Sequence, residues 1–284
     1  MAHLYNIQYT SVNEYDESVI EAIFEFLASP CNDNTQTLLD FQIKNSLNQD
    51  TFFSKNSFGF QTIRIRPHKP FTTLEFVCTS KVEKKAEAGG SPKKPKAAEQ
   101  AKVIESNNFY IDNFLFLVKT PLTKLSEENK KILKLYNPKQ SVEEFLDELN
   151  QYIHSLIKYE TEQTTVDTTA NEVIELKKGV CQDFTHVFIA MARESRIPCR
   201  YISGYLNQGD KYIKSSSMHA WAEALVPGVG WIGYDPTNNC LANTDYIKVC
   251  HGGDYNDCCP IKGVLIMPSR SDNKTLHQVK VVQQ

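Results

Sequence analysis

The sequence lacks an excess of charge of one sign, a long apolar run and a leader-like beginning. Its 31 basic and 34 acidic residues nearly cancel, so no strong field attracts nucleic acid or an anionic membrane. No stretch approaches the roughly 20 apolar residues that span a bilayer, and residues 1–9 lack the basic flank and apolar core of a signal peptide. We therefore expect a cytoplasmic protein with no nucleic-acid and no membrane partner.

Cysteine, in contrast, is plentiful, with eight residues in the chain. A reducing compartment disfavours structural disulfides. The thiols are then expected to be free, to bind a metal or to act as a nucleophile.

The length of 284 residues and the hydrophobic content of 41% favour two domains. We predict a β-sandwich-like domain over 1–120, because short β-rich runs alternate there with turn residues. The predicted strands are 3–10, 57–66, 71–79 and 109–119, and the pattern of 17–28 fits a strand or a helix. A tract rich in Lys, Glu, Ala, Gly and Pro over 81–106 predicts a flexible loop inside this domain.

After residue 120 the hydrophobic period changes from two to 3.6, which indicates helices. Ser141 and Glu144 form a predicted capping box, and a second helix is expected from Thr169 to a stop near Gly179. A third helix follows at once, so that Cys181 lies at its N-terminus. Predicted strands then occupy 199–206, 218–226, 231–234, 246–250 and 263–267. The whole chain is thus expected to be α+β, with helices packed on an antiparallel sheet over 121–284.

Cys181 is the best candidate for a nucleophile. A cysteine attacks as the thiolate, whereas a free thiol with a pKa of about 8.5 is mostly protonated at neutral pH. The positive end of a helix favours negative charge on the sulfur, and its free N–H groups could hold an oxyanion.

His219 and Asp235 are the candidates for a base and its orienting carboxylate. His219 opens a strand in which small residues alternate with large or polar ones. Asp235 ends the next strand of the same predicted hairpin, so the two side chains are expected to meet.

Three segments resemble the signature blocks of the transglutaminase-like superfamily: 179–184 (GVCQDF), 219–221 (HAW) and 235–237 (DPT). Supporting segments at 167–169, 197–205 and 252–255 are similar to the bacterial branch, in which a core of this kind follows a β domain. The resemblance implies a papain-like thiol mechanism without a required metal, with Cys181 as nucleophile, His219 as base and Asp235 as its orienter. Its implied substrate is a peptide or protein. Gly253 departs from the family pattern, because an arginine is expected there.

Several interpretations stay open at this point. Gln182, Trp221, Tyr205 and Tyr234 are candidate substrate contacts, although aromatic residues on a sheet face often belong to the core, and Asp183 is expected to cap the third helix. Sulfur and imidazole ligands also gather near the C-terminus, so a zinc site is an alternative use of Cys240, Cys250, His251 and Cys258. A binding or scaffold protein with a vestigial triad competes with the enzyme, for which we favour hydrolysis over transfer to an amine.

Overall fold

A computed structural model of the chain describes residues 2–85, 95–131, 135–209, 212–213, 217–268 and 273–284. The strands are β1 (His3–Val19), β2 (Glu21–Phe26), β3 (Gln36–Asn45), β4 (Thr51–Lys55), β5 (Gln61–Ile65), β6 (Phe71–Lys84), β7 (Lys158–Tyr159), β8 (Lys178–Gly179), β9 (Cys199–Leu206), β10 (His219–Val226), β11 (Gly230–Asp235), β12 (Cys240–Leu241), β13 (Tyr246–Gly252), β14 (Ile261–Ile266) and β15 (Asn273–Gln283). The helices are α1 (Ala97–Glu105), α2 (Asn107–Asp112), α3 (Glu127–Lys131), α4 (Val142–Leu156), α5 (Ala170–Leu176), α6 (Cys181–Glu194) and α7 (Tyr255–Cys258). The predicted α+β class is confirmed.

The N-terminal region contains two four-stranded antiparallel sheets, in the orders β15-β1-β6-β3 and β14-β2-β5-β4. Along β1, Tyr5, Ile7 and Tyr9 are buried while the residues between them are exposed, which is the alternation of a sheet with one wet face. Phe26 of β2 stacks on Phe76 of β6 with ring centroids 3.9 Å apart, so an aromatic contact joins the two sheets. The segment 17–28, whose pattern fitted a strand or a helix, contains the end of β1 and the whole of β2, so its regular structure is strand.

The second half is built around a five-stranded antiparallel sheet in the order β12-β11-β10-β9-β13. Helix α6 packs against β9 and β10 and also contacts α4 and α5. Its apolar side chains, including Phe184, Val187 and Phe188, are buried. Because the helix is buried, its packing fixes the position of its first residue, Cys181.

The capping box predicted for α4 is present, because Ser141 Oγ accepts a hydrogen bond from the Glu144 N–H and a Glu144 carboxylate oxygen accepts one from the Ser141 N–H. The predicted end of α5 was wrong by two residues. Lys177, with φ of 54°, takes the left-handed position that we had expected Gly179 to fill. Gly179 instead pairs with Tyr159 in the short parallel pair of β7 and β8.

The strand predicted over 109–119 was wrong. Residues 107–112 form α2, whose Phe109 N–H is capped by the hydroxyl of Ser106, and a 3-10 turn follows over Phe114–Phe116. Within the predicted flexible loop, 81–84 belong to β6 and 97–105 form α1. The middle of that loop, 86–94, lies outside the described residues.

The last two strands return to the N-terminal sheets. β15 pairs with β1 over eleven residue pairs from Tyr5↔Gln283 to Tyr15↔Asn273, and β14 pairs with β2. The division of the chain into domains at residue 120 remains a prediction, and β14 and β15 lie in the sheets of the first of them. In the part of the chain that the structure describes, no helix has the length and apolar character that a bilayer crossing requires.

Candidate active site

Cys181 is the first residue of α6 and is partly exposed. The helix start is held by Asp183, whose carboxylate accepts hydrogen bonds from the Val180 N–H and the Thr164 hydroxyl, both at 2.7 Å. Burial raises the pKa of this carboxyl, while those two hydrogen bonds oppose the rise. The predicted capping role of Asp183 is thus confirmed, and Cys181 lies in the first turn of the helix that it caps.

The side chains of His219 and Asp235 meet, as expected from their places on neighbouring strands of one hairpin. His219 opens β10 and Asp235 ends the neighbouring strand β11, which pairs with β10 through Ala222↔Tyr234. The His219 Nε2 atom lies 2.7 Å from Asp235 Oδ2. Both side chains are buried, with 4% and 0% of their surface exposed. Because Nε2 is bonded to the carboxylate, Nδ1 is the ring nitrogen left for a thiol.

The Asp235 carboxylate is surrounded by donors. Besides His219, it accepts hydrogen bonds from the Tyr246 hydroxyl and the Asn238 side-chain amide, both at 2.7 Å, and from the N–H groups of Thr237 and Asn238. Burial alone would raise the pKa of Asp235, but the charge of His219 and these donors hold it below its ordinary value. The carboxylate therefore stays ionised and keeps its orientation.

The electrostatic environment of His219 favours the imidazolium. Burial opposes its charge, but the charge of Asp235, their hydrogen bond and a hydrogen-bond contribution from the Cys181 thiol raise the pKa of His219 to about 10. Trp221 stacks over the ring at 6.4 Å between centroids with 21° between the planes. The first turn of α6 and the His219 ring thus border the same cleft.

Cys181 and His219 open into one cleft of about 180 Å³. Its walls come from α6, β9, β10, α7 and β15, and the polar or aromatic side chains among its lining residues include Gln182, Tyr201, Ser203, Tyr255 and His277.

Of the four predicted substrate contacts, one lines this cleft and three do not. Gln182 lines it, and its side-chain amide also donates to the Val166 carbonyl at 3.0 Å. Trp221 is buried behind His219. The other two do not line the cleft, since the fully buried Tyr205 donates to the Ala28 carbonyl at 2.7 Å and the buried Tyr234 stacks on Phe188.

Three of the four proposed zinc ligands make other contacts. Cys240 contacts the Tyr246 hydroxyl at 3.3 Å, His251 packs edge-on against Phe60 at 4.7 Å, and the buried Cys258 donates to the Tyr201 carbonyl. Among the residues with described positions, no three His, Cys, Asp or Glu side chains are arranged to hold a metal ion. The geometry therefore gives the zinc interpretation no support.

Gly253, where an arginine was expected, is reached by an arginine from elsewhere in the chain. The buried guanidinium of Arg193, on α6, donates to the Gly253 carbonyl at 2.8 Å. It also donates to the carbonyls of Phe116, Val118 and Cys199. Arg193 thus joins α6 to the loop that leads into α7. Tyr255 of α7 in turn lines the cleft.

Sequence reasoning missed three residues of the site. Asn238 had a recognisable signal, since an Asp followed by Pro, Thr and Asn is typical of a turn closed by side-chain hydrogen bonds. Tyr246 and His277 had none, because only the pairing of distant strands brings them to the site.

Comparison with known proteins agrees with this geometry. Residues 130–236, which include all three members of the Cys181, His219 and Asp235 constellation, match the family model of the transglutaminase-like superfamily. The resemblance found in the sequence is therefore confirmed.

Two relatives of this chain are uncharacterised mycobacterial proteins. One from Mycobacterium tuberculosis is 36% identical over 143 residues, which cover 47% of this chain and 46% of that protein. One from Mycobacterium leprae is 33% identical over 150 residues, covering 51% of this chain and 52% of that protein. The chain thus spans about half the length of these relatives.

A solved structure shares the whole fold. The crystal structure of a "putative cysteine protease" from Cytophaga hutchinsonii superposes with a TM-score of 0.76 at 20% identity, covering 100% of this chain and 91% of that one. Its likeness supports the transglutaminase-like architecture, including the sheet-rich N-terminal region.

Proposed function

We propose that this chain, with its transglutaminase-like core at residues 130–236, is a cysteine-dependent enzyme that hydrolyses peptide or carboxamide bonds through a Cys181 thioester. The observation that carries the proposal is the 2.7 Å His219–Asp235 pair, buried beside the cleft into which Cys181 opens. A buried, charged pair is costly to keep out of water. Because the pair lies at the same cleft as the thiol at the start of α6, it can serve as the base and the orienting carboxylate for that thiol.

In the acylation step, the Cys181 sulfur attacks the carbonyl carbon of the scissile bond. A C–S bond forms and the carbonyl electron pair moves to oxygen, where the free N–H groups at the start of α6 stabilise the oxyanion. When the intermediate collapses, the C–N bond breaks and the His219 imidazolium gives its proton to the leaving amine. The products of this step are a thioester on Cys181 and a free amine.

In the deacylation step, neutral His219 takes a proton from water as the water oxygen attacks the thioester carbonyl. The C–S bond then breaks, the sulfur regains its negative charge next to the imidazolium, and a carboxylic acid leaves. In the transfer alternative an amine replaces water in this step. Asp235 keeps the imidazole in one orientation throughout, which is its role in such triads.

Thiol labelling tests the proposal. With iodoacetamide at neutral pH, we expect Cys181 to react at least tenfold faster than Cys31, a half-buried thiol remote from the cleft whose pKa is raised to about 12, chiefly by burial. His219→Ala should slow Cys181 labelling on the order of a hundredfold, the usual contribution of a positioned base. The Cys31→Ser variant is the matched control and should leave the fast reaction intact. Similar rates for all partly exposed thiols would favour a scaffold with a vestigial triad.

An acyl-enzyme assay then separates hydrolysis from transfer. p-Nitrophenyl acetate should give a burst of about one p-nitrophenol per chain with the native protein, and none with Cys181→Ala. Added glycinamide should leave the steady rate unchanged if water is the acceptor. Formation of N-acetylglycinamide in proportion to the amine would establish transfer instead.

A further inference from the structure

The C-terminal strand contributes a histidine to the cleft. His277, on β15, lines the same cavity as Cys181 and His219. It lies 96 positions after the nucleophile in the sequence and reaches the cleft because β15 is the neighbour of β1 in the sandwich. The strand pairing puts Ser11 opposite His277, so Tyr9 is its diagonal neighbour on the same face.

A hydrogen bond to Tyr9 occupies one ring nitrogen of His277. The Tyr9 hydroxyl lies 2.8 Å from His277 Nδ1, and the two rings stack with centroids 5.8 Å apart. Burial raises the pKa of Tyr9, so its hydroxyl keeps its proton and is able to donate it to Nδ1. In that arrangement Nδ1 is the acceptor.

In this arrangement the remaining edge of the ring is a donor. Burial lowers the pKa of His277, so the imidazole is neutral at physiological pH, and with Nδ1 as the acceptor its single proton is on Nε2. Within the described part of the chain, Nδ1 of His277 is hydrogen-bonded to Tyr9, and Nε2 has no hydrogen bond to another residue. A neutral ring that lines the cleft with an N–H edge can bind a carbonyl oxygen.

We propose that His277 is a substrate-binding residue whose Nε2–H donates to a backbone carbonyl of a peptide-type acyl donor, with Tyr9 as the positioning residue that fixes its tautomer. The inference rests on the proposed function, since it assigns the substrate class of the same cleft. It also gives the C-terminal strand a role beyond completing the sheet. Acyl donors without a carbonyl next to the scissile group should gain nothing from His277.

Two thiol-directed probes separate binding from reactivity. Iodoacetamide reports the reactivity of Cys181 alone, whereas acetyl-Ala-Ala-chloromethyl ketone places backbone carbonyls along the cleft. We expect His277→Phe to slow inactivation by the peptidyl probe about three- to tenfold, the effect of one hydrogen bond, and to leave iodoacetamide labelling within about twofold. His277→Gln keeps an amide donor near the Nε2 position and should restore part of the peptidyl rate.

Tyr9→Phe and a surface control complete the set. Tyr9→Phe keeps the buried ring but frees the tautomer of His277, so the peptidyl rate should fall by less than in His277→Phe. His68→Phe, at an exposed histidine of the sandwich, should change neither rate. Circular dichroism and the thermal midpoint of each variant verify folding.

Other outcomes would overturn the inference. An unchanged peptidyl rate in His277→Phe, or an equal slowing of both probes, would assign His277 a structural role only. Slow iodoacetamide labelling of Cys181 in the unsubstituted protein would instead contradict the proposed function and remove the inference with it.

Discussion

At the scale of single residues, the Tyr246 hydroxyl is the clearest support of Asp235 that the sequence did not reveal. It donates to the carboxylate at 2.7 Å in a fully buried setting. Tyr246→Phe removes this donor and the contact of the hydroxyl with Cys240, and a hydrogen bond to a charged group contributes about 1.5–3 kcal/mol. We expect a loss of stability of that order and slower labelling of Cys181, measured by urea denaturation and iodoacetamide kinetics.

Tyr5→Phe is the matched control for Tyr246→Phe. Tyr5 is also buried and also donates to a carboxylate, Asp245, at 3.4 Å, and neither residue lines the cleft. It should affect stability without changing the labelling rate of Cys181. If the two variants slowed labelling equally, Tyr246 would have no specific connection to the site.

The raised pKa of His219 predicts a pH dependence of stability. The folded protein holds the imidazolium proton up to a pKa of about 10, whereas the unfolded chain releases it near 6.5. The contribution of His219 is therefore complete below about pH 6.5 and is lost as the pH rises towards 10. The difference in unfolding free energy between the native protein and His219→Gln, measured from pH 6 to 9, should shrink steadily. A constant difference would show that the ring is neutral in the folded state.

The positions of the three candidate residues in the fold could be predicted from the sequence because each lies at a local landmark. Cys181 begins a helix, and His219 and Asp235 lie on the two strands of one hairpin. Tyr246 and His277 could not be predicted, since their place in the site depends on β13 pairing with β9 and on β15 pairing with β1. Short-range patterns carry no information about such pairings.

At the scale of elements, the start of α6 is so closely packed that Gly179, two residues before the helix, has no room for a side chain. A Cβ on Gly179 would lie 2.5 Å from a carboxylate oxygen of Asp183, closer than any real contact. Gly179→Ala should displace the capping carboxylate, cost about 1–3 kcal/mol and slow Cys181 labelling. Denaturation and labelling together measure both effects.

Lys177→Gly is the control for this element, two residues earlier. Lys177 occupies the left-handed region with φ of 54°, where glycine has no steric penalty. This variant should keep or slightly raise stability and leave labelling unchanged. A loss of labelling here would mean that any change near the helix start disturbs the thiol, and Gly179→Ala would then say nothing specific about the cap.

Secondary structure was predictable where periodicity and caps agreed. The capping box predicted at Ser141 marked the start of α4. The predicted helix start at Thr169 is also correct, and the structure shows a second capping box there. The segment 109–119 misled because its aromatic and apolar residues resemble a strand, whereas the Ser106 cap makes the first part helical. Several of these residues, such as Ile111 and Phe114, are exposed, so burial did not decide their conformation.

At the scale of the whole molecule, hydrogen bonds join the N-terminal sheets to the five-stranded sheet of the second half. The predicted division at residue 120 did not include these contacts. The Gln36 side chain donates to the Lys248 carbonyl at 2.7 Å and accepts from the Lys248 N–H at 2.9 Å. Tyr205 donates to the Ala28 carbonyl. These buried hydrogen bonds join the first sheets to β9 and β13, so the two regions are expected to unfold together.

That expectation is testable because both tryptophans of the chain, Trp221 and Trp231, lie in the core half. Their fluorescence therefore reports that half, while far-ultraviolet circular dichroism also reports the strands of the sandwich. In urea we expect the two transitions to coincide, which is the signature of one cooperative unit. Gln36→Ala leaves the Lys248 N–H without its buried partner, and it should lower both midpoints together. Two separated transitions in the unsubstituted protein would mean that the sandwich folds on its own, and the cleft wall formed by β15 would then depend on docking between two independent domains.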